Sequence, residues 1–182
     1  MPATNGVVPG FNTPGVGFDQ PFEMLEACHE RVQRTLGLLG RLSDHIQAHG
    51  HDASSRSAAA DILRYFDIAA PLHHEDEERH LFPALSKSDD ADMRKLVSRL
   101  RADHVNLSAL WSRLRVVLLA WRDLDRPPSI SKADHALMDE FSQIYTSHIP
   151  LEESLAYPRA RSLIDAAQLA DIGREMAIRR RG

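Results

Sequence analysis

Displaced by 75 residues, the chain repeats its own chemistry. His29 falls on His104, His73 on His148, Glu77 on Glu152, Glu78 on Glu153 and Pro83 on Pro158, while Phe82 meets a second aromatic residue, Tyr157. Each half therefore reads as one His and then, 44 positions on, His-x-x-x-Glu-Glu closed by an aromatic residue and a proline. A fold compatible with this pattern is made of two like halves whose matching side chains converge. Four imidazoles and two carboxylates related by one offset are read as one metal site, even in a chain with 10 His among 182 residues.

The hydrophobic pattern between these residues is helical. Phe22, Leu25, His29, Val32, Leu36 and Leu39 recur at steps of three and four, one face of a helix that ends near His49 and Gly50. A second periodic segment runs from about Ser55 through Ile62, Phe66, His73 and Glu77 to Leu81, with Pro83 placed to end it. A third opens after Asp89 and Asp90, which suit an N-cap and first turn, and carries Leu100, His104, Leu107, Trp111 and Leu118 before stopping ahead of Pro127 and Pro128. A fourth begins near Ser131 and runs through Leu137, Phe141, Tyr145, His148 and Glu152 towards Pro158. No segment alternates as a strand does.

Short connections make sequential helices neighbours, so the expectation is an all-α, antiparallel up-down-up-down four-helix bundle. Its two helical hairpins share one design and hold the site between them. Residues 1–21, rich in Pro and Gly, form an irregular N-terminal arm; residues 22–160 form the metal-binding domain; residues 161–182 form a short C-terminal helix and a basic tail, Arg179 to Arg181, expected to be solvated.

Spacing decides which side chains can act together. At about 100° per residue, positions four apart point within about 40° of one another, so His73 shares a face with Glu77 and His148 with Glu152. Apolar residues continue these stripes: Phe66 lies seven before His73, Phe141 seven before His148, Phe22 seven before His29 and Trp111 seven after His104. Imidazoles and carboxylates in a core stripe are costly to bury unless paired or bound to metal. His74 with Glu78 is a competing pair, but Pro83 lies ten after His73 as Pro158 lies ten after His148, which selects His73 and Glu77. His74, Glu75, Asp76, Glu78 and Glu153 then face solvent or neighbouring helices, with hydrogen bonding around the ligands as the alternative. His80, two turns after His73, is a further candidate for such a bond. His45, His49, His51 and His135 match nothing and are read as surface residues.

The bulk numbers set no competing function. Net charge is −4 and the isoelectric point about 6.2, so no cationic excess favours nucleic acid or an anionic membrane. One cysteine, Cys28, and no apolar run long enough to span a bilayer suggest a soluble, cytoplasmic protein. Cys28 is expected to pack between helices. Pro71 and Pro150 fall inside the ligand helices, where each should bend its helix or free a carbonyl.

Over residues from about Phe22 to Pro158 the chain resembles the hemerythrin-like family, the HHE cation-binding domains, whose pattern is His, His-x-x-x-Glu, His, His-x-x-x-Glu on four successive helices. The resemblance implies a non-haem di-iron centre, with His29 and His73 on one iron, His104 and His148 on the other, and Glu77 and Glu152 bridging. It also implies an oxo or hydroxo bridge. Imidazole and carboxylate suit iron, and by ligand type manganese and zinc as well.

The chain departs from the oxygen-carrying members at Leu100, where those have a fifth His one turn before the His of helix three. Four nitrogens and two bridging carboxylates give eight donor atoms, and a bridging oxygen adds two bonds against about twelve for two six-coordinate metals. About two positions stay open, for water, for a small diatomic or peroxide ligand, or for a phenolate from Tyr145 three residues before His148. The expectation is a protein that binds or senses oxygen, nitric oxide or peroxide, or handles iron, acting through a homodimer face or a protein partner. The alternatives are an enzyme turning over peroxide or nitric oxide and an interaction module with a structural metal; no catalytic residue is assigned.

Overall fold

The computed structural model describes residues 16–181, so most of the expected N-terminal arm lies outside the described residues. Among the described residues there are five helices and no strand. Helix α1 is Pro21–His49. Helix α2 covers residues 53–86, with α-helical stretches Ala53–Arg64, Ala70–Asp76 and Phe82–Ser86 joined by π turns at Tyr65–Ala69 and Glu77–Leu81. Helix α3 is Ala91–Asp123. Helix α4 covers residues 132–163, as Lys132–Leu151, a π turn at Glu152–Ala156, and Tyr157–Leu163. Helix α5 is Ala166–Arg179. No described helix is long and apolar enough to cross a membrane.

The helix starts follow from their caps. Asp52, Ser131 and Asp165 each accept the N3 amide, and Ser55, Asp134 and Gln168 reach back in return, so each start satisfies two amides that a helix leaves unpaired. Asp90 caps α3 through the amides of Asp92 and Met93. Helix α1 ends at Gly50, whose φ of 79° lies in the left-handed region that glycine enters without a Cβ penalty.

Two sequence expectations need correction at the helix ends. Pro83 and Pro158 do not terminate α2 and α4, which continue to Ser86 and Leu163. A proline in a regular helix lacks an amide and drives its ring into the carbonyl four residues back. Here each follows a π turn, in which the amide of Phe82 bonds the carbonyl of Glu77 and that of Tyr157 bonds the carbonyl of Glu152, so the widened turn absorbs the ring. Pro71 stands in the same relation to the π turn at Tyr65–Ala69. Pro150 sits inside α-helix without one, and the carbonyl of Pro150 accepts the Ser154 hydroxyl.

Each of α1 to α4 packs against the next in the chain, and α4 returns against α1, so the four enclose a common interior. That interior holds two apolar clusters. One contains Val32, Leu39, Ile62, Phe66, Ala70, Leu107, Leu114, Phe141 and Tyr145; the other contains Phe22, Leu25, Leu81, Phe82, Leu100, Ala156 and Tyr157. On each of α1 to α4 the candidate His lies at the switch between them: His29 between Leu25 and Val32, His104 between Leu100 and Leu107, His73 after Ala70, and His148 after Tyr145. A polar layer thus divides the core.

Helix α5 closes the second cluster with Ile172 and Met176. Gly173 lies so near the Phe18 carbonyl that a Cβ would sit 1.9 Å from that oxygen, which locks α5 against the segment leading into α1. The basic tail expected in solvent is in part an anchor. Asp76, fully buried, accepts from Arg179 on one carboxylate oxygen and from Arg180 at 2.6 Å on the other, while Arg181 stays exposed. Burying Asp76 requires this pairing, because an unpartnered carboxylate in the core is strongly disfavoured.

Candidate metal centre

The six residues at the repeat positions converge. His29, His73, His104, His148, Glu77 and Glu152 are each 5% exposed or less. Ligand atoms of His29, His73, Glu77 and Glu152 lie within 4.8 Å of one another, as do those of His104, His148 and Glu152. Glu152 belongs to both groups. Glu77 spans them too, with Oε1 3.4 Å from Nε2 of His73 and Oε2 3.4 Å from Nε2 of His104.

Both carboxylates occupy the same structural position, the first residue of a π turn, so the offset seen in the sequence is repeated in the backbone. The wider turn also removes a strain that the following Pro83 or Pro158 would impose, which explains why the aromatic-Pro ending accompanies the Glu.

The outer nitrogens fix how the rings point. Nδ1 of His29 donates to Glu153 Oε1 at 2.9 Å, and Nδ1 of His104 donates to Glu78 Oε1 at 2.9 Å, again related by the offset. Nδ1 of His148 donates to Asp103 Oδ2 at 3.2 Å. Carboxylates only accept, so each Nδ1 carries its proton and each Nε2 faces inward. There His29 and His148 lie 3.1 and 3.0 Å from Glu152 oxygens, and Nε2 of His104 faces Nε2 of His148 at 3.2 Å.

Glu77 Oε2 and both oxygens of Glu152 are buried without a properly formed hydrogen bond. Lone pairs of nitrogen and oxygen aimed at one another call for positive charge between them. Among the protein groups alone, protons supply it: burial opposes charge on His29 and His104, but Glu152 and Glu77 outweigh it and raise them to about 9 and about 10. His148 is raised by the same carboxylates against its burial. Burial works to raise Glu152, yet the imidazoles of His104, His148 and His29 hold it well below the usual carboxylate range. Glu77 is raised, by burial first and then by the charge of Glu152. The donor set fits one or two metal cations.

The remaining candidates fall elsewhere. His74 stacks on His104 with ring centroids 4.0 Å apart; its Nε2 is buried without a partner, and burial holds the ring well below the usual imidazole value. It lines a cavity of about 90 Å³ together with Ala70, Leu107 and Tyr145. Tyr145 packs on Phe66 and Phe141 as a core aromatic residue. His80 turns to α5, where Arg179 approaches its Nε2 at 2.8 Å, and Glu75 pairs with Arg79. His45 bonds Asp52, His51 the Pro128 carbonyl and His135 Ser43, all apart from the cluster. Cys28 is buried.

Two neighbours of the cluster are not expected from the sequence. Asp103 precedes His104 but serves His148, a cross-helix contact that no spacing on one helix shows. Its repeat partner is Cys28, and correspondingly Nδ1 of His73 has no partner. Tyr157 is the other: its hydroxyl donates to Glu77 Oε1 at 2.5 Å and lies 3.2 Å from Nε2 of His29. The signal was present, since Tyr157 stands where the repeat has Phe82, one oxygen more than the pattern needs.

Comparison with known proteins agrees with this geometry. The family profile of the hemerythrin HHE cation binding domain matches residues 20–160. An uncharacterized protein of Haemophilus influenzae is 35% identical over 163 residues, which are 90% of this chain and 91% of that relative.

Proposed function

Because the chain belongs to the hemerythrin HHE cation-binding domain family, we propose that it is a non-haem di-iron protein that binds or senses oxygen, nitric oxide or peroxide, or handles iron. The observation that carries the reading is that Glu77 Oε2 and both oxygens of Glu152 are buried without a hydrogen bond while four imidazoles converge on them. In this reading His29 and His73 would hold one metal and His104 and His148 the other, with the carboxylates of Glu77 and Glu152 shared between them. The domain runs from 22 to 160, and the connections 50–52, 87–90 and 124–131 give its helices an alternating up-and-down sense.

Iron bound there would supply a redox-active Lewis acid. The chain's own groups do the rest. Glu153, Glu78 and Asp103 hold the Nδ1 protons and so keep the inward nitrogens free to bind. Phe22, Leu25, Phe82 and Leu100, all fully buried, keep bulk water from one side of the polar layer.

One observation favours the second reading, a di-iron enzyme acting on peroxide or nitric oxide. His74 offers an unpartnered Nε2 beside His104 at the edge of the cavity, which is where a proton donor or acceptor would serve. Mixing the ferrous protein with oxygen, nitric oxide or peroxide in stopped flow separates the two. Binding or sensing gives one spectral change per centre and then stops; sustained turnover selects the enzyme. A protein that holds iron yet changes its spectrum with none of the three would sink both.

A further inference from the structure

The two halves of the centre are unequal, and the inequality lies at one oxygen atom. Tyr157 and Phe82 are repeat partners and occupy matching places: the Tyr157 ring stacks on His29 with centroids 5.5 Å apart, and the Phe82 ring stacks on His104 with centroids 5.5 Å apart. Only Tyr157 carries a hydroxyl. That oxygen lies 2.5 Å from Glu77 Oε1 and 3.2 Å from Nε2 of His29, and the side chain is 1% exposed.

The inward donors around it are spaced like the corners of one coordination shell. His29 Nε2 is 3.1 Å from Glu152 Oε2 and 3.9 Å from Glu77 Oε1, and His73 Nε2 is 3.4 Å from Glu77 Oε1. Adjacent donors of an octahedral ion with bonds of about 2.1 Å lie about 3 Å apart; the Tyr157 oxygen lies 3.2 Å from Nε2 of His29, and closer, at 2.5 Å, to Glu77 Oε1, to which its proton is donated while no metal holds the pair.

We propose that the Tyr157 oxygen is a fifth protein donor to the metal held by His29 and His73, with no counterpart at the metal held by His104 and His148. The inference rests on the di-iron reading and goes beyond it. When the oxygen–iron(III) bond forms, the phenol O–H bond breaks and its proton leaves to solvent; iron keeps its oxidation state. One metal is then nearly saturated by the chain. The positions for an outside ligand then gather at the other metal, the one whose His104 stacks on His74, a residue that lines the cavity.

The test compares the ferric wild-type protein with Tyr157→Phe and Tyr145→Phe, each measured for iron per chain, visible absorption and resonance Raman scattering. The expected result is about two irons per chain in all three, with a phenolate-to-iron charge-transfer band and phenolate ring modes present in wild type and Y145F and lost in Y157F. Two irons in wild type without those modes, or modes that survive in Y157F, would overturn the assignment and leave the di-iron reading standing. Fewer than two irons in wild type would overturn that reading and the assignment with it. Tyr157→Phe removes one atom and keeps the ring on His29, and a helical circular dichroism spectrum equal to wild type confirms that any lost band reports the oxygen.

Discussion

At the scale of single residues, the site is a set of charges that compensate one another only when all are present. His29 and His104, raised to about 9 and about 10 from an ordinary value of 6.5, stabilise the chelated protein fully below about 6.5, and that contribution is lost as pH rises through their folded values. Thermal unfolding after chelation should therefore shift to lower temperature between pH 6.5 and pH 10, and iron-loaded protein, whose imidazoles bind as neutral rings, should lack that decline. A chelated protein whose unfolding temperature held level over that interval would contradict the charge assignment. The groups that orient the ligands also matter: Asp103→Ala should weaken metal binding by roughly 10–100-fold in an equilibrium titration, because the His148 ring loses its hydrogen-bond acceptor. How far these residues could be read from sequence differs by kind. The ligand candidates were legible because the repeat lists them twice. Asp103 was not, because it serves a ring on another helix, and neither was the oxygen of Tyr157, because an aromatic residue in a core position satisfies the hydrophobic pattern whether or not its oxygen is used.

At the scale of elements, the helices were legible from periodicity and caps, and the turns within them were not. Ser131 was expected to open the fourth helix and does, closing a capping box with Asp134. Ser131→Ala should cost about 1 kcal/mol in a urea titration, the usual loss for an N-cap, and a change near zero would show that tertiary packing alone sets this start. Pro83 and Pro158, in contrast, read as stop signals. A stop is the normal consequence of a missing amide, and periodicity carries no mark of a π turn that absorbs the ring. The two turns that begin at Glu77 and Glu152 explain in retrospect why each carboxylate is followed, five and six residues on, by an aromatic residue and a proline.

At the scale of the whole molecule, the bundle holds a polar layer between two apolar clusters, and α5 ties the end of the chain to the helix that bears Glu77. The tie is the Asp76 carboxylate between Arg179 and Arg180, which are 14% and 20% exposed. No sequence pattern signals it, since the partners lie 103 and 104 residues apart and a basic tail ordinarily stays in water. Asp76→Ala should lower stability by about 3 kcal/mol, measured from the urea midpoint, because it strands two half-buried guanidinium groups; an unchanged midpoint would mean that both find other partners. The di-iron reading itself is decided by metal content per chain on protein purified from iron-replete cells, beside the same assay on Glu77→Ala and Glu152→Ala. A centre bridged by these carboxylates requires about two irons per chain in the parent and their loss in both variants. One metal or none in the parent, with the variants unchanged, would contradict it and leave a helical interaction module as the better description.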